Sequence, residues 1–340
     1  MTMKYYVFDP IGDISNLVQR TGRIPSPHKD NDVIIRVEAT SLNYKDLVLA
    51  HGHLALNNNS AEYVPLSDGA GRVVATGASA KYLSVGERVV ASFFPTWENG
   101  LPTGNEKALG RELSGMLSEY IRLPAEALVS VPRTFNSAQA AAFPCAGVTA
   151  WNALVEMGQF NAGHTVLTMG TGGVSIFALQ IAKASGATVI ALTGSATKEA
   201  FLHHLGADHV INYRQNTDWD EKVLQLTHGS GADIILEVGG AKTFQKSLNA
   251  AAFGGRISAV GVLAGVDGMA NPTDIIFKSL TINGVYVGNT RMLTDVLNFF
   301  EKNKLQPIID SHSFNFETVP QAYAHMQTQE HIGKIIIDLT

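Results

Sequence analysis

The spacing of hydrophobic and polar residues changes about one third of the way along the chain. Up to residue 124, short β-branched runs are separated by turns that contain glycine and proline, a pattern typical of strands. The predicted strands of this part are residues 33–37, 71–76, 88–91 and 119–123. The sequence therefore predicts a β-rich domain at the start of the chain.

After Pro124 short apolar runs alternate with stretches of helical periodicity. Residues 174–181 and 197–205 have the spacing of helices. The predicted strands are residues 165–169, 188–192, 209–211, 233–237, 256–260 and 281–287. Strand–helix alternation predicts βαβ units and a parallel sheet, so we expect an α/β fold with a doubly wound Rossmann domain over residues 125–289.

The last fifty residues or so depart from this alternation. They carry a pair of predicted helices and a terminal strand at residues 334–339. We expect residues 290–340 to rejoin residues 1–124 in the first domain.

A glycine-rich turn stands between the first predicted strand and helix of the Rossmann domain. It reads Gly170-Thr171-Gly172-Gly173-Val174-Ser175. The first glycine permits a tight turn, the second lets the backbone approach a pyrophosphate, and the helix start attracts the anion. Ser175 takes the place of the third glycine of G-x-G-x-x-G, where only a small residue is needed. We predict dinucleotide binding by Gly170, Gly172, Gly173 and Val174; the alternative is an ordinary βα turn of another doubly wound fold.

The end of the second Rossmann strand bears on the choice of coenzyme. NAD-binding domains usually place an acid there for the ribose 2′-hydroxyl. Here Thr193, Ser195 and Lys198 come first, and no carboxylate occurs until Glu199. An acid would repel a 2′-phosphate, so its absence favours NADPH. Arg214 could reach the same pocket, although Lys198 and Arg214 could equally be solvated surface charges.

Composition limits the function classes. Of 340 residues, 45% are hydrophobic and 16% charged, and the net charge is −5, so a large core is expected and a nucleic-acid footprint is not. Cys145 is the single cysteine, which excludes a disulfide within the chain and fits a reducing compartment. Without an apolar run of membrane-spanning length or a signal-like N-terminus, we expect a cytoplasmic protein with no membrane partner.

Four segments together resemble the medium-chain dehydrogenase/reductase superfamily. They are Pro-Leu-Ser-Asp-Gly-Ala-Gly at residues 65–71, Val-Gly-Glu-Arg-Val at 85–89, the turn at 170–175 and Leu-Gly-Ala-Asp at 205–208. The resemblance spans nearly the whole chain. It implies a GroES-like catalytic domain beside the Rossmann domain, and a homodimer joined through the nucleotide-binding domains.

The superfamily contains a zinc branch and a zinc-free branch, and the sequence departs from the zinc branch. Asn43 and Ser67 stand where that branch has a cysteine and a histidine ligand, whereas Asp68 and Cys145 match the remaining carboxylate and thiolate positions. One thiolate and one carboxylate cannot close a tetrahedral zinc site. The proton relay of the zinc branch and its structural-zinc cysteines are also missing. We therefore predict no metal and a resemblance to quinone oxidoreductase-like and zinc-independent alcohol dehydrogenase-like proteins.

The same resemblance assigns further positions to the NADPH pocket. They are Asn43, Thr149, Ser195, Lys198, Tyr213, Gly261 and Val262. Many quinone and enoyl reductases carry a tyrosine where this chain has Leu54, so the proton donor assigned to that tyrosine cannot be carried over.

Without a metal, hydride transfer works best onto an acceptor that spreads its own charge. Candidate catalytic residues are Asn43 and Tyr44, for substrate or ribose contact, Lys45, as proton donor or electrostatic stabiliser, and Cys145, beside the nicotinamide. The alternatives are helix capping and packing for Asn43 and Tyr44, a solvated lysine for Lys45, and a small buried thiol for Cys145.

These observations leave several functions open. The leading hypothesis is an NADPH-dependent reductase of quinones, enones or other activated carbonyl substrates. A zinc-free alcohol dehydrogenase and a non-catalytic NADPH-binding protein, crystallin-like or a sensor, are the alternatives. We expect Asp46 to support the first helix, Asp68 to be either a relic of a zinc shell or a structural hydrogen-bonding group, and His51 and His53 to be surface residues.

Overall fold

The computed structural model describes residues 1–53, 64–80 and 82–340. The chain divides into two compact units. The first unit comprises residues 1–148 and 288–340, and the second comprises residues 149–287.

The strands are numbered in chain order. They are β1 (Thr2–Phe8), β2 (Leu17–Arg23), β3 (Asp32–Ser41), β4 (Asp68–Thr76), β5 (Arg88–Ala91), β6 (Tyr120–Pro124), β7 (Leu128–Ser130), β8 (Thr165–Met169), β9 (Thr188–Thr193), β10 (His209–Asn212), β11 (Ala232–Glu237), β12 (Ala251–Ala259), β13 (Thr281–Gly284), β14 (Phe314–Asn315) and β15 (Ile336–Asp338).

The α-helices are numbered likewise. They are α1 (Tyr44–Ala50), α2 (Ser137–Ala140), α3 (Val148–Trp151), α4 (Gly173–Ala184), α5 (Ala196–His204), α6 (Trp219–Leu226), α7 (Ala241–Ala250), α8 (Pro272–Phe277), α9 (Thr290–Lys302) and α10 (Val319–Thr328).

The second unit contains a parallel sheet in the order β10–β9–β8–β11–β12–β13. Counted from β8, this is the order 3-2-1-4-5-6 of the doubly wound Rossmann fold. Leu167, Ile190 and Ile235 contribute to its buried core. The predicted Rossmann fold is confirmed. In such sheets a ligand binds at the carboxyl ends of the strands, next to the first strand, where the strand order reverses.

The first unit is built on a sheet in the order β14–β15–β3–β4–β5–β7, with β6 paired to β3. Its long central strands β3 and β4 are antiparallel, and Thr40 and Ser41 lie opposite Gly69 and Asp68. Strand β15 pairs with β3, so the end of the chain returns to the first unit. The predicted β-rich domain is confirmed.

The sequence analysis missed several short or outlying strands. Strands β1 and β2 form a separate antiparallel hairpin, and β7 and β14 are only three and two residues long. The fully buried residues of the hairpin are confined to one end, at residues 6–8 and 17, so no alternating apolar pattern runs along its strands. Elements this short or this exposed give little periodic signal.

The boundaries between the two units differ from the predicted domain boundaries. Residues 125–148, which the sequence analysis assigned to the Rossmann domain, lie in the first unit. Strand β7 pairs with β5 there, and the Ser41 hydroxyl donates to the Ala141 carbonyl at 2.8 Å. The change of sequence pattern at Pro124 marks a change in local structure, whereas pairing with distant strands decides which unit the segment joins.

Among the described residues, no helix combines the length and the apolar character needed to cross a membrane.

Candidate active site

The glycine-rich turn of the second unit leads from β8 into α4. Gly170 has a φ of +80° and donates its N–H to the Leu192 carbonyl at 2.7 Å. Gly172 precedes the first residue of α4, and a Cβ atom added to it would have no atom within 4 Å. The outer side of the turn is therefore open, and the amides of the first helical turn have no intrahelical acceptor. These are the requirements for a diphosphate held by main-chain amides.

Ser175 explains how the turn tolerates the loss of its third glycine. Its side chain is buried, and its hydroxyl donates to the Met169 carbonyl at 2.6 Å. This hydrogen bond joins the first turn of α4 to the end of β8. A serine therefore fits the helix–strand contact and also fixes it.

Hydroxyl groups line the turn that follows β9. The Ser195 N–H donates to Thr193 Oγ1 at 3.2 Å, and the Ser195 and Thr197 hydroxyls lie 2.8 Å apart. Lys198 is half-buried in the first turn of α5. The nearby carboxylate of Glu199 accepts a hydrogen bond from Asn212 at 2.8 Å. The turn thus offers hydroxyls and an ammonium group before any carboxylate.

Tyr213 covers this turn from the next strand. Its N–H donates to the Thr193 carbonyl at 3.0 Å, and its ring lies so close to Gly194 that an added Cβ would be 2.4 Å from the phenol oxygen. The tyrosine side chain remains exposed. Gly194 is therefore required for the aromatic ring to lie on the turn. Arg214 is exposed to solvent.

A buried carboxylate that the sequence analysis missed organises the end of β11. Glu237 Oε1 accepts the N–H groups of Gly239 and Gly240 at 2.7 and 2.9 Å and the Thr243 hydroxyl at 2.6 Å. Its Oε2 accepts the Ser247 hydroxyl. In the sequence, the signal that could have identified Glu237 was an acid directly before Val-Gly-Gly at the end of a predicted strand. The carboxylate fixes the turn that leads into α7.

The remaining nucleotide-binding candidates of this unit are Thr149, Gly261 and Val262. Gly261 follows β12 and donates its N–H to the Glu237 carbonyl at 3.3 Å, and Val262 beside it is exposed. Thr149 is buried in α3. Gly261 thus lies beside the Glu237 turn, at the carboxyl edge of the sheet where Gly170 and Thr193 also lie.

In the first unit, the start of α1 holds a buried ion pair. The Asn43 N–H donates to Asp46 Oδ2, and Lys45 Nζ lies 2.8 Å from Asp46 Oδ1. Lys45 Nζ also lies 5.1 Å from the centre of the Phe93 ring. Burial lowers the pKa of Lys45, but the Asp46 carboxylate outweighs it and the pKa is raised, so the ammonium form is favoured. The alternative of a solvated Lys45 is wrong, because the side chain is only 16% exposed.

Tyr44 differs from its neighbours in α1. Its side chain is 43% exposed. Asp46, in contrast, is buried and supports the helix start as expected. Of the other residues considered after α1, His51 lies 3.2 Å from the side chain of Gln327, His53 is exposed, and Leu54 lies outside the described residues.

The most unexpected member of the site is Lys334, which the sequence analysis treated only as the start of the terminal strand. Its ammonium group donates to the Leu42 carbonyl at 2.7 Å and to Asn43 Oδ1 at 2.5 Å, and lies 3.4 Å from Asp68 Oδ2. Lys334 and Asp68 are 266 residues apart in sequence. No local pattern could have connected them; the isolated cation before Ile-Ile-Ile was the only signal.

Asp68 links this ammonium group to the remaining candidates. Its Oδ1 accepts the Ser67 hydroxyl at 2.7 Å, and its Oδ2 accepts the Cys145 N–H at 3.3 Å. The structural reading of Asp68 as a hydrogen-bonding group therefore matches these contacts. Burial, followed by the Asp68 charge, raises the pKa of the half-buried Cys145 thiol to about 12. We call Lys334, Asn43, Asp68 and Cys145 the Lys334 cluster.

One hydrogen-bond donor of the Lys334 cluster is unsatisfied within the part of the chain that the structure describes. Among the described residues, the buried Nδ2 of Asn43 has no hydrogen-bond partner, although Oδ1 of the same amide accepts from Lys334. A buried donor without a partner costs free energy, and a bound ligand that accepts its hydrogen bond would remove that cost. Asn43 thus has the chemistry expected for a contact to a ribose hydroxyl or a substrate oxygen.

Comparisons with known proteins match both units. The model for an alcohol dehydrogenase GroES-like domain matches residues 29–133, and the model for a zinc-binding dehydrogenase matches residues 173–302. A zinc-type alcohol dehydrogenase-like protein of Schizosaccharomyces pombe is 36% identical over 347 aligned positions, covering 100% of both chains. The chain belongs to the medium-chain dehydrogenase/reductase superfamily.

Two further relatives of this medium-chain dehydrogenase/reductase extend the comparison. A crystal structure from Sinorhizobium meliloti 1021, named as an alcohol dehydrogenase, has a TM-score of 0.91 at 40% identity and covers 99% of both chains. The NADPH-dependent alkenal/one oxidoreductase of Arabidopsis thaliana chloroplasts is 28% identical over 341 positions, covering 98% of this chain and 79% of the relative. The superfamily membership makes this chain an oxidoreductase.

The zinc that the family name implies does not fit the residues of this medium-chain dehydrogenase/reductase. At the positions that resemble zinc ligands, Asn43 and Ser67 offer neutral side-chain groups and Asp68 is already paired with an ammonium group. A divalent ion placed among them would be repelled by Lys334.

Proposed function

We propose that this chain is a zinc-independent oxidoreductase that transfers a hydride from NADPH to a quinone, an enone or another activated carbonyl compound. The observation that carries the proposal is the ammonium group of Lys334, held by Asn43 and Asp68. An ammonium group at these positions disfavours a divalent ion beside it, because the two cations repel each other. This charge arrangement supports hydride transfer without a Lewis acid at this place.

Hydride transfer without a Lewis acid restricts the range of suitable acceptors. Bound NADPH would supply the hydride from C4 of its nicotinamide ring. The negative charge that this leaves on the acceptor has to be stabilised by delocalisation and by fixed donors. Quinones and α,β-unsaturated carbonyl compounds delocalise the charge themselves, and a proton from solvent or from an acidic side chain completes the reduction.

Two side chains of the first unit are suited to stabilise the negative charge that hydride transfer leaves on the acceptor. The Nδ2 group of Asn43 is buried, and its amide is oriented by Lys334. The ammonium group of Lys45 is held charged by Asp46 and adds a positive potential near the helix start. We propose Asn43 as the direct donor to substrate or ribose, and Lys45 as an electrostatic stabiliser.

NADPH is proposed over NADH because of the turn after β9. Thr193, Ser195 and Lys198 present two hydroxyls and one ammonium group. A 2′-phosphate binds favourably to such groups and is repelled by a carboxylate. The name of the Arabidopsis relative, an NADPH-dependent alkenal/one oxidoreductase, agrees with both the coenzyme and the acceptor class.

The test is NADPH oxidation by the purified full chain after dialysis against a chelator. The panel contains a small quinone, an enone, a 2-alkenal, a saturated aldehyde and a primary alcohol with NADP⁺. We expect turnover with the conjugated acceptors and weaker or no turnover with the saturated aldehyde. Activity that appears only after zinc is added would overturn the zinc-independent assignment, and activity confined to the alcohol would favour the alcohol dehydrogenase alternative.

Asn43→Asp provides a matched variant. It keeps an oxygen acceptor for Lys334 and removes the Nδ2 donor, so the fold should be retained. We expect kcat/KM for the conjugated acceptors to fall about tenfold or more, since one hydrogen bond to developing charge is lost. Unchanged kcat/KM would show that Asn43 is not the direct donor to the substrate or the ribose. NADPH binding without turnover of any acceptor by the wild-type chain would support the non-catalytic alternative.

We also propose that the chain forms a homodimer through the second unit. Strand β13 is the last strand of its sheet and pairs with β12 on one side only. Large exposed apolar side chains occur on β12 and on the segments next to β13; they include Phe253, Ile276, Phe277 and Tyr286. An edge strand with exposed apolar neighbours is suited to an isologous contact with a second copy. Sedimentation should give a dimer that Phe277→Glu weakens; a wild-type monomer at micromolar concentration would contradict the proposal.

A further inference from the structure

A second group of metal-binding side chains lies in the first unit, separate from the Lys334 cluster. Asp310, His312 and His325 meet between the segment before β14 and helix α10. Asp310 Oδ1 lies 2.8 Å from His312 Nδ1 and 3.0 Å from His325 Nε2. The three potential ligand atoms all lie within 4.8 Å of one another. Neither the proposed reaction nor the resemblance to zinc dehydrogenases uses these residues.

The carboxylate is held in place by the backbone around it. Asp310 Oδ2 accepts the N–H of Ile332 at 2.9 Å, which leaves Oδ1 directed at the two imidazole rings. The N–H of Asp310 in turn donates to the Lys334 carbonyl at 2.9 Å. His325 is fixed within α10 and is 12% exposed. Two of the three ligands are therefore pre-organised, which lowers the entropy lost on binding an ion.

The rings themselves are oriented by contacts with each other and with an aromatic neighbour. The centroids of His312 and His325 lie 4.1 Å apart, and Phe314 packs against both rings. The side chain of His312 is 61% exposed, so water can reach the open side of the group. Two imidazole nitrogens, one carboxylate oxygen and accessible water are the ligand types that zinc binds in open sites.

The Asp310 carboxylate faces both rings through Oδ1, so it can balance part of the charge of a divalent ion held between them. Each imidazole would bind the ion through the lone pair of the nitrogen that now faces Asp310, and its ring proton would then reside on the other nitrogen.

We propose that Asp310, His312 and His325 form a binding site for a divalent transition-metal ion of the Zn²⁺ type, with water completing the coordination. The ion would join the residues before β14, helix α10 and, through Asp310, the backbone at Ile332 and Lys334. Its role would be structural, since the ion would stabilise the packing of these last segments within the first unit.

The test is isothermal titration of the chelator-treated full chain with ZnCl₂ at pH 7.5, together with the shift in melting temperature. We expect one equivalent of Zn²⁺ to bind and the melting temperature to rise. His312→Ala is the main variant, because its exposed side chain can be removed without loss of core packing. It should weaken Zn²⁺ binding by at least about tenfold, as removal of even an outer-shell partner commonly does. His325→Ala should act in the same direction.

Two controls distinguish this site from other side chains of the chain that can bind zinc. His28→Ala removes an exposed histidine elsewhere in the first unit and should leave the titration unchanged. Cys145→Ser removes the one thiol of the chain and should also leave it unchanged. Zn²⁺ binding that His312→Ala and His325→Ala do not weaken, or binding that Cys145→Ser abolishes, would overturn the proposal. Absence of stoichiometric binding by the wild-type chain would overturn it as well.

Discussion

The ammonium group of Lys334 and the carboxylate of Asp68 form a buried pair whose nearest atoms are 3.4 Å apart. The side chains are 3% and 0% exposed. The same ammonium group binds Leu42 and Asn43, so one cation neutralises a buried acid and orients the Asn43 amide. This relationship connects the fold to the proposed zinc-independent chemistry, because it puts an ammonium group beside Asn43 and Asp68, two of the positions that resemble zinc ligands.

Lys334→Met tests this pair directly. Methionine has similar length but no charge, so Asp68 would be left buried without its cation. Breaking a buried ion pair by removing one partner typically costs about 3 kcal/mol or more in the free energy of unfolding. Urea unfolding of the wild-type chain and the variant measures the difference.

The double variant Lys334→Met with Asp68→Asn supplies the control. Removal of both charges should restore part of the lost stability, and the coupling energy follows from the double-mutant cycle. Equal stability of the wild-type chain and Lys334→Met would show that the pair contributes nothing.

Gly172→Val should remove coenzyme binding without unfolding the chain. The backbone at Gly172 has φ −71° and ψ 170°, which valine adopts readily, and an added Cβ meets no atom within 4 Å. The new side chain would instead occupy the space expected for the pyrophosphate. We expect NADPH binding to weaken about a hundredfold, or ~2.8 kcal/mol, in a fluorescence titration. Unchanged circular dichroism would verify the fold, and an unchanged titration would contradict the pyrophosphate assignment.

Ser195→Asp should shift the coenzyme preference. A carboxylate after β9 would repel the 2′-phosphate of NADPH and could accept the 2′-hydroxyl of NADH. We expect the dissociation constant for NADPH to rise about tenfold or more, equivalent to ~1.4 kcal/mol, with little change for NADH. Ser195→Asn is the neutral control. Equal weakening of both coenzymes would place the 2′-phosphate elsewhere.

The Cys145 thiol should react slowly in the folded chain. Its pKa of about 12 means that only a small fraction is thiolate at pH 8, and the thiolate is the reactive form. Relative to an ordinary thiol of pKa about 8.5, the thiolate fraction is lower by roughly three orders of magnitude. Mass spectrometry of iodoacetamide alkylation in buffer and in urea measures the contrast. The native rate should rise with pH beyond 8, and equal rates in the folded and unfolded states would mean that the thiol is neither buried nor close to Asp68.

Local periodicity was sufficient to predict the Rossmann unit. The sequence placed β8, β9 and β10 to within a residue or so, because buried parallel strands are continuous apolar runs bounded by glycine-containing turns. It also identified the turn from Gly170 to Ser175, whose function depends on residues adjacent in sequence. The hairpin of β1 and β2, whose buried residues are confined to one end, gave no comparable signal.

The sequence by itself therefore determined the strand–helix alternation, the glycine-rich turn and the neutral residues Asn43 and Ser67 at two positions that resemble zinc ligands, since each depends on neighbouring residues or on single positions. Only the tertiary structure showed that Lys334 lies beside Asn43 and Asp68, and which unit residues 125–148 join. Lys334 reaches Asn43 and Asp68 because β15 pairs with β3, which brings together segments nearly three hundred residues apart. Strand pairing at that distance depends on burial and backbone hydrogen bonding across the whole sheet, and no local pattern encodes its outcome.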